Sequence, residues 1–316
     1  MAFKKDPQVF GAKITEVAFG ADGASAVFGG GNTLPLYSFD AETRHRPLVG
    51  IEFSDKGPDR SLPGLAEFYE GADSLTDVAA RACMAQGADF VSLVLESADP
   101  NGDDIPSEDA AALAKEAAKA AAGSGKPIVI QGTGNVDKDQ ELIPKIAEAL
   151  QGMSALLLSA KEENYKGIAV AAVTAYGQKI GAESSVDINL AKQLNVLIAQ
   201  MGIQPADYVM NLGTAAAGYG FEYIASTIER VKLAALSQND DALQMPVITP
   251  VALDAWSVKE AVVSEEDFPE WGPREERGVQ MEISTAAAAL AAGSDAVILR
   301  HPASVKTVSE LVTALV

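Results

Sequence analysis

The feature that most constrains the fold of this sequence is an alternation of short apolar runs with helical patterns after residue 45. The apolar runs do not alternate strictly between apolar and polar residues, which is typical of parallel strands covered on both faces. Eight runs predict strands, namely Pro47–Phe53, Asp89–Leu95, Pro127–Gln131, Ala155–Ser159, Lys179–Ala182, Asp207–Asn211, Pro246–Thr249 and Asp295–Leu299.

The segments between these runs carry the start signals of helices. Ser74, Ser107 and Asp187 each stand where a helix would begin, and a side-chain oxygen there can accept from free backbone N–H groups. The helix after Asp187 has an apolar stripe formed by Leu190, Leu194, Leu197 and Met201. We interpret this stripe as the face that packs against the sheet.

Eight strand–helix units are compatible with two architectures. A doubly wound open sheet would bind a ligand where the strand order reverses. A closed (β/α)8 TIM barrel needs about 250 residues and would use nearly all of the remaining length, so we predict a barrel over residues 46–316. Residues 1–45 form an N-terminal extension, in which Ile14–Phe19 and Ala24–Phe28 predict a β-hairpin that plugs the barrel or adds to an interface.

The composition argues against several kinds of partner and cofactor. The formal net charge is −20, which disfavours nucleic acid and membrane surfaces and reflects either solubility or complementarity to a basic protein. A single cysteine, Cys83, cannot hold an iron–sulfur cluster, and His45 and His301 are not spaced as a metal-binding pair. With no apolar leader and no long apolar run, we expect a cytoplasmic protein.

In a TIM barrel, function lies on the loops that follow the strands. Gly132-Thr133-Gly134 and Gly218-Tyr219-Gly220 lack the third glycine of a dinucleotide-binding loop, so they are better explained as turns. Lys161 lies in a polar stretch that does not suit a Schiff base. Three glutamates could supply a carboxylate pair for acid–base chemistry, although their spacing singles out no pair: Glu52, Glu96 and Glu183.

The loop after the seventh strand, Pro250–Pro273, is the longest of these loops and contains both tryptophans of the chain, Trp256 and Trp271. Long loops within compact domains are usually functional, and tryptophan is enriched at the centres of protein interfaces. The two rings either form a partner interface or pack the loop onto the barrel.

Nine segments, in order along the chain, resemble the delta subunit of the acetyl-CoA synthase/CO dehydrogenase system, which in bacteria is the small subunit of the corrinoid iron–sulfur protein. The resemblance spans roughly Pro47 to His301. The segments that carry it are Glu163–Lys166, Asp187–Asn195, Gly218–Tyr223, Ile228–Leu233, Met245–Ile248, Ala255–Ala261, Pro269–Gly272, Glu276–Gly278 and Arg300–Pro302.

The resemblance implies a barrel that pairs with a large subunit carrying a cobamide and a [4Fe–4S] cluster. The pair would take a methyl group from methyltetrahydrofolate:corrinoid methyltransferase and pass it to acetyl-CoA synthase, in the reductive acetyl-CoA (Wood–Ljungdahl) pathway by which anaerobes fix carbon. This chain would then be non-catalytic and hold no cofactor or metal. In agreement, the sequence has no Asp-x-His-x-x-Gly corrinoid-binding motif.

The alternative is an active barrel, either a pterin-dependent methyltransferase or a carboxylate-based lyase. Pterin-binding barrels tend to place Asp-x-Asn after the second strand and Asp-Pro after the sixth. This chain has Val94-Leu95-Glu96 and Asn211-Leu212 there, and Pro250-Val251-Ala252 after the seventh. A pterin buried at these residues would leave polar groups without hydrogen-bond partners. Each such group would cost about 1–3 kcal/mol of binding free energy, so we expect no binding of methyltetrahydrofolate.

We therefore predict that the loops after the strands face the corrinoid-bearing subunit. Trp256 and Trp271 are the candidate partner contacts. Neutral side chains suit the amide groups around a corrin ring, and the candidate contacts are Thr133, Asn135, Asn164, Ser184, Ser185, Thr214 and Tyr219.

Overall fold

The structure is a computed structural model that describes residues 6–21 and 23–316. Two strands, β1 (Val17–Ala21) and β2 (Ala24–Phe28), pair antiparallel as a hairpin. The parallel strands are β3 (Leu48–Ser54), β4 (Phe90–Val94), β5 (Ile128–Gln131), β6 (Leu156–Ala160), β7 (Lys179–Glu183), β8 (Tyr208–Asn211), β9 (Ile248–Thr249) and β10 (Ala296–Leu299).

The helices surround the parallel strands. They are α1 (Pro63–Phe68), α2 (Leu75–Ala82), α3 (Ser107–Gly123), α4 (Val136–Ala149), α5 (Tyr165–Ala169), α6 (Ile188–Gln200), α7 (Phe221–Ser237), α8 (Val251–Ala255), α9 (Lys259–Val262), α10 (Arg274–Ala292) and α11 (Pro302–Leu315). Ser74 caps α2 and Asp187 caps α6, as predicted. The prediction for Ser107 is wrong, because Pro106 occupies the cap position and Ser107 is already helical.

The order of the parallel strands is β8-β7-β6-β5-β4-β3-β10-β9. The two ends of this sheet meet at a bridge between Met210 and Val247, where the Met210 amide donates to the Pro246 carbonyl at 2.8 Å. Each strand overlaps its predicted range, and the predicted (β/α)8 barrel is confirmed. The predicted division at residue 45 stays a prediction.

The hairpin fills the N-terminal end of the barrel. Phe19 is 1% exposed and meets the ring of Phe90, inside the barrel, edge to face at 5.7 Å between ring centroids. The amide of Gly20 donates to the carbonyl of Ser154, just before β6, at 2.7 Å. The hairpin therefore plugs the barrel, which is one of the two roles considered for it.

Within residues 6–21 and 23–316, no helix combines the length and the apolar character needed to cross a lipid bilayer.

Candidate functional site

The barrel interior changes from apolar to polar toward the C-terminal ends of the strands. Alternate residues of a strand face the same side, so Glu52 lies on the interior face above Leu48 and Gly50. Side chains at the ends of the other strands complete what we name the polar layer. Its members are Glu52, Ser92, Gln131, Ser159, Glu183, Asn211 and Arg300.

One half of the polar layer is organised by Glu52, whose side chain is only 3% exposed. The Arg300 guanidinium donates from Nε to Glu52 Oε1 at 2.9 Å, and its Nη2 lies 2.8 Å from the same oxygen. Gln131 donates to the other carboxylate oxygen at 3.2 Å and to Ser92 Oγ at 3.0 Å. This carboxylate is therefore charge-balanced and fully engaged within the chain.

The other half is organised by Glu183. Its Oε1 lies 3.3 Å from Lys161 Nζ, which also donates to the Gly134 carbonyl at 2.9 Å. Asn211 donates to Ser159 Oγ at 3.1 Å and approaches Glu183 Oε2 at 3.4 Å. The side chain of Lys161 is thus held between the Glu183 carboxylate and the Gly134 carbonyl.

A cleft of about 340 Å³, the central cleft, lies over the polar layer. Its walls also include Glu96, Asp99, Thr133 and the exposed side chain of Leu253 on α8. Glu52, Glu96 and Glu183 are brought to one opening, as strand-end residues should be. Two of these three carboxylates are in ion pairs, Glu52 with Arg300 and Glu183 with Lys161.

Arg300 is placed by a carboxylate that sequence reasoning missed. Glu282, in the middle of α10, is fully buried and accepts from the backbone N–H groups of Arg300 and His301. The ring of His301 continues the network, because its Nε2 lies 3.1 Å from Glu275 Oε1. Glu275 in turn accepts from the Gly64 amide at 2.8 Å, which ties the start of α1 to the same site.

The burial of Glu282 predicts a pH dependence of stability. Burial raises the pKa of this carboxyl from 4.5 to about 7, so the folded chain binds the proton more tightly than the unfolded chain does. The contribution of this proton binding to the free energy of unfolding is complete below about pH 4.5 and is lost as the pH rises toward 7. Compared with Glu282→Gln, the native protein should lose about 2 kcal/mol of unfolding free energy between pH 5 and pH 7.

Urea unfolding of both proteins at several pH values measures this difference. Burial lowers the pKa of His301, which changes the free energy of unfolding with pH in the opposite direction. This effect is present in both proteins, so the comparison of the native protein with the variant cancels it. An identical pH profile for the native protein and the variant would contradict the prediction.

Three of the predicted corrinoid contacts make hydrogen bonds within the chain. Asn135 caps α4, and Thr133 donates its hydroxyl to the buried carboxylate of Asp139 at 2.8 Å. Asn164 is 3% exposed, accepts from the Lys161 amide and donates to the Val136 carbonyl. The Asn164 amide is thus buried and engaged on both sides, and its contact with a corrinoid stays a prediction.

The loop after β7 is the most strained part of the site. Ser185 and Val186 both have positive φ angles, of 24° and 62°, which is unfavourable for a β-branched residue such as Val186. Ser184 is 2% exposed, and its hydroxyl and the buried hydroxyl of Thr214 lack hydrogen-bond partners. Ser184, Ser185 and Thr214 thus lie on neighbouring loops, as predicted, but two of the three hydroxyls are beneath the surface.

The two tryptophans have different surroundings. Trp256 is 6% exposed and stacks on His301 with 6.1 Å between centroids, so it packs within the chain, and its contact with a partner stays a prediction. Trp271 is 37% exposed, and it stacks on Phe268 at 4.5 Å. Tyr219 is also exposed, and its hydroxyl donates to Glu260 at 2.7 Å.

Comparisons with known proteins place this barrel in a family. Residues 16–311 match the model of the CO dehydrogenase/acetyl-CoA synthase delta subunit. The chain belongs to this family. Subunit delta of the acetyl-CoA decarbonylase/synthase complex of Archaeoglobus fulgidus is 33% identical over 99% of this chain and 71% of its own length. The corresponding subunit of Methanocaldococcus jannaschii is 33% identical over 94% of this chain and 73% of its own length.

Solved structures similar to this delta-subunit family member are dihydropteroate synthases. The enzyme from Xanthomonas albilineans, with 4-aminobenzoic acid, has a TM-score of 0.57 and 14% identity, and the match covers 95% of this chain and 98% of the enzyme. The enzyme from Burkholderia cenocepacia, complexed with 7,8-dihydropteroate, has a TM-score of 0.54 and 13% identity, with 86% and 92% covered. At such low identity the likeness concerns the fold alone.

Among the residues that the structure describes, no group of three or more His, Cys, Asp or Glu side chains is arranged to hold a metal ion. Two carboxylates of the polar layer are in ion pairs, Glu52 with Arg300 and Glu183 with Lys161.

Proposed function

We propose that this chain is a non-catalytic subunit whose C-terminal barrel face covers a corrinoid held by a larger, cluster-bearing subunit. That larger subunit carries the methyl group from methyltetrahydrofolate:corrinoid methyltransferase to acetyl-CoA synthase in the reductive acetyl-CoA pathway. The corrinoid supplies the cobalt that carries the methyl group, and the cobamide and the [4Fe–4S] cluster belong to the partner. Contacts with the methyltransferase and the synthase are transient.

The observation that carries this proposal is the pairing of charges in the polar layer. Acid–base catalysis needs a carboxylate or an amine that can exchange a proton with a substrate. Glu52 is held by Arg300 and Gln131, and Glu183 is held by Lys161. Groups paired in this way hold a fixed polar surface and are poorly placed to shuttle protons.

Uncharged groups on the loops after β7 and β8 fit an amide-rimmed corrin ring. The buried hydroxyls of Ser184 and Thr214 still need partners, and the hydroxyl of Ser185 lies on the same strained loop. Neutral hydrogen bonds of this kind position a ring without changing the charge at its metal. The residues of this chain would orient the corrinoid and exclude water from one of its faces.

Exposed apolar side chains on the same barrel face support its burial by a partner. They lie on the loops and helices that follow β7, β8 and β9, and one of them, Leu253, also lines the central cleft. The largest are Val186, Tyr219, Tyr223, Leu253, Val262 and Trp271. Apolar side chains grouped on one face are typical of a surface that another chain covers.

The direct test is to produce the chain alone and together with the large subunit. The isolated chain should be colourless and free of cobalt and iron, and the pair should be coloured and contain both metals. Trp271→Ala should weaken the pair by about 2 kcal/mol, because a half-exposed ring stacked on Phe268 is a preformed anchor. Calorimetric titration of one subunit into the other measures the affinity.

The matched control changes the opposite barrel face. Gln151 is exposed in the loop before β6, and Gln151→Glu should leave the affinity unchanged. Weakening by this variant, with none from Trp271→Ala, would show that the partner contacts the N-terminal face. Micromolar binding of methyltetrahydrofolate to the isolated chain would instead favour a pterin-dependent methyltransferase.

A further inference from the structure

A second cavity of about 210 Å³, here named the side pocket, lies next to the central cleft. It is bounded by β3, the end of β4, the loop after β3 and the helix α1. The two cavities share the side chains of Glu52, Val94, Glu96 and Arg300. A group bound over the central cleft could therefore extend a side arm into the side pocket.

The side pocket contains an unusual donor. Tyr69, at the end of α1, lines it and is 2% exposed, and its hydroxyl has no hydrogen-bond partner. Burial strongly raises the pKa of this phenol, so the hydroxyl stays protonated and remains a donor. Buried polar atoms in folded proteins nearly always have partners, and an unpartnered one calls for an explanation.

The remaining polar groups of the side pocket define what would fit. Nε and Nη2 of Arg300 contact Glu52. A guanidinium has further N–H groups, and these can donate to another acceptor. Glu96 is an exposed carboxylate at the rim and can accept a hydrogen bond. The walls between these groups are apolar and include Phe53 and Leu65.

These groups discriminate among small polar ligands by charge. Glu52, Asp59, Glu96 and Arg300 bring three negative charges and one positive charge to the side pocket, so a carboxylate ligand would be repelled. An ammonium group has no acceptor atom, so it would leave the donors of Tyr69 and Arg300 without partners. A primary amide is neutral, has one carbonyl acceptor for donors at the base of the pocket, and has an NH2 group for a carboxylate at the rim.

We propose that the side pocket receives a primary amide arm of the corrinoid, with Tyr69 and Arg300 donating to the amide carbonyl and Glu96 accepting from its NH2 group. This inference rests on the proposed function, because the arm belongs to the corrinoid that the partner holds. Tyr69 is then a positioning residue that fixes the rotation of the corrin ring over the barrel.

The test compares the affinity of this chain for the cobamide-loaded and the cobamide-free large subunit. The native chain should bind the loaded form more tightly. Tyr69→Phe should reduce that preference by about five- to tenfold, the effect of one buried hydrogen bond, and leave the affinity for the cobamide-free form unchanged. Glu96→Ala, at an exposed rim position that does not threaten folding, should reduce the preference in the same way.

Tyr208→Phe is the matched control. Tyr208 is also buried, but it is the first residue of β8 at the opposite end of the barrel, with its hydroxyl 3.5 Å from the Asn195 carbonyl. It should leave the preference for the loaded partner unchanged. Thermal unfolding of each variant shows that the chains compared are folded.

The possible failures are distinguishable. If the native chain prefers the loaded partner and both Tyr69→Phe and Glu96→Ala keep the full preference, the side-pocket proposal is overturned while the proposed function stands. If the native chain pairs with neither form of the large subunit, both proposals are overturned. Saturation-transfer NMR on the isolated chain adds an independent readout, with propionamide expected to bind and propanoate not.

Discussion

Replacing Trp256 with alanine should lower the free energy of unfolding by about 4 kcal/mol, a typical cost of deleting a large buried aromatic side chain. The ring is almost fully buried and stacks on His301. Gly278 of α10 approaches it so closely that a Cβ there would come within 2.2 Å of the ring. The surrounding atoms belong to α10 and to the turn after β10, which have little freedom to fill the cavity.

Equilibrium unfolding in urea measures this loss, and Trp271→Ala is the matched control. Because Trp271 is 37% exposed and lies on an outer loop, its removal should cost less than about 1 kcal/mol of stability. The sequence left two roles open for the tryptophans, a partner interface or packing of the loop onto the barrel. Comparing the two variants distinguishes these roles. Equal losses of stability from the two variants would contradict this assignment.

Arg300→Met should lower the free energy of unfolding by about 3 kcal/mol, because it leaves the Glu52 carboxylate buried with no opposing charge. Gln131 would remain as a donor to Glu52, but a neutral amide does not balance the charge. The apolar part of the side chain is nearly conserved in methionine, so the loss reports mainly on the ion pair. Thermal and urea unfolding measure it.

The double variant Glu52→Gln, Arg300→Met provides the control. Removing both charges should recover most of the lost stability, and the thermodynamic cycle of the four proteins gives the coupling energy of the pair. Additive losses in the double variant would show that Glu52 and Arg300 do not stabilise each other across the barrel opening. The cofactor-free chain suffices for this measurement.

The strands could be predicted from the sequence because parallel strands that are buried on both faces are continuous apolar runs. Pro127–Gln131 and Asp295–Leu299, for instance, each contain the observed strand and exceed it by one residue. Helix boundaries were less accurate. Ser107, for instance, was predicted to cap a helix but is already helical, because Pro106 occupies the cap position.

The candidate site could be predicted only in part. Glu52, Glu96 and Glu183 were identified at strand ends, but their pairing depends on contacts between strands that are distant in sequence. Arg300 follows β10 by the same alternation that places Ile298 inside the barrel, so this signal was available and was not used. Glu282 and Tyr69 gave no local signal, since a lone carboxylate or phenol in a helix is usually solvated.

Neutral residues were the least predictable. Asn164 and Thr133 have the side chains expected of ligand contacts, yet Asn164 accepts from the Lys161 amide and Thr133 donates to the Asp139 carboxylate. Such local bonds compete with any outside partner, and the sequence pattern does not show which will form.

The hairpin plug affects the order in which this protein can fold during its synthesis. Phe19 and Phe28 leave the ribosome before most of the barrel, but the apolar cluster that receives them also contains Val209 from β8, Ile248 from β9 and Ile298 from β10. The docking surface is therefore incomplete until β10 has been made. The aromatic side chains of the hairpin stay unburied during that interval, so newly made chains depend on β10 for protection against aggregation.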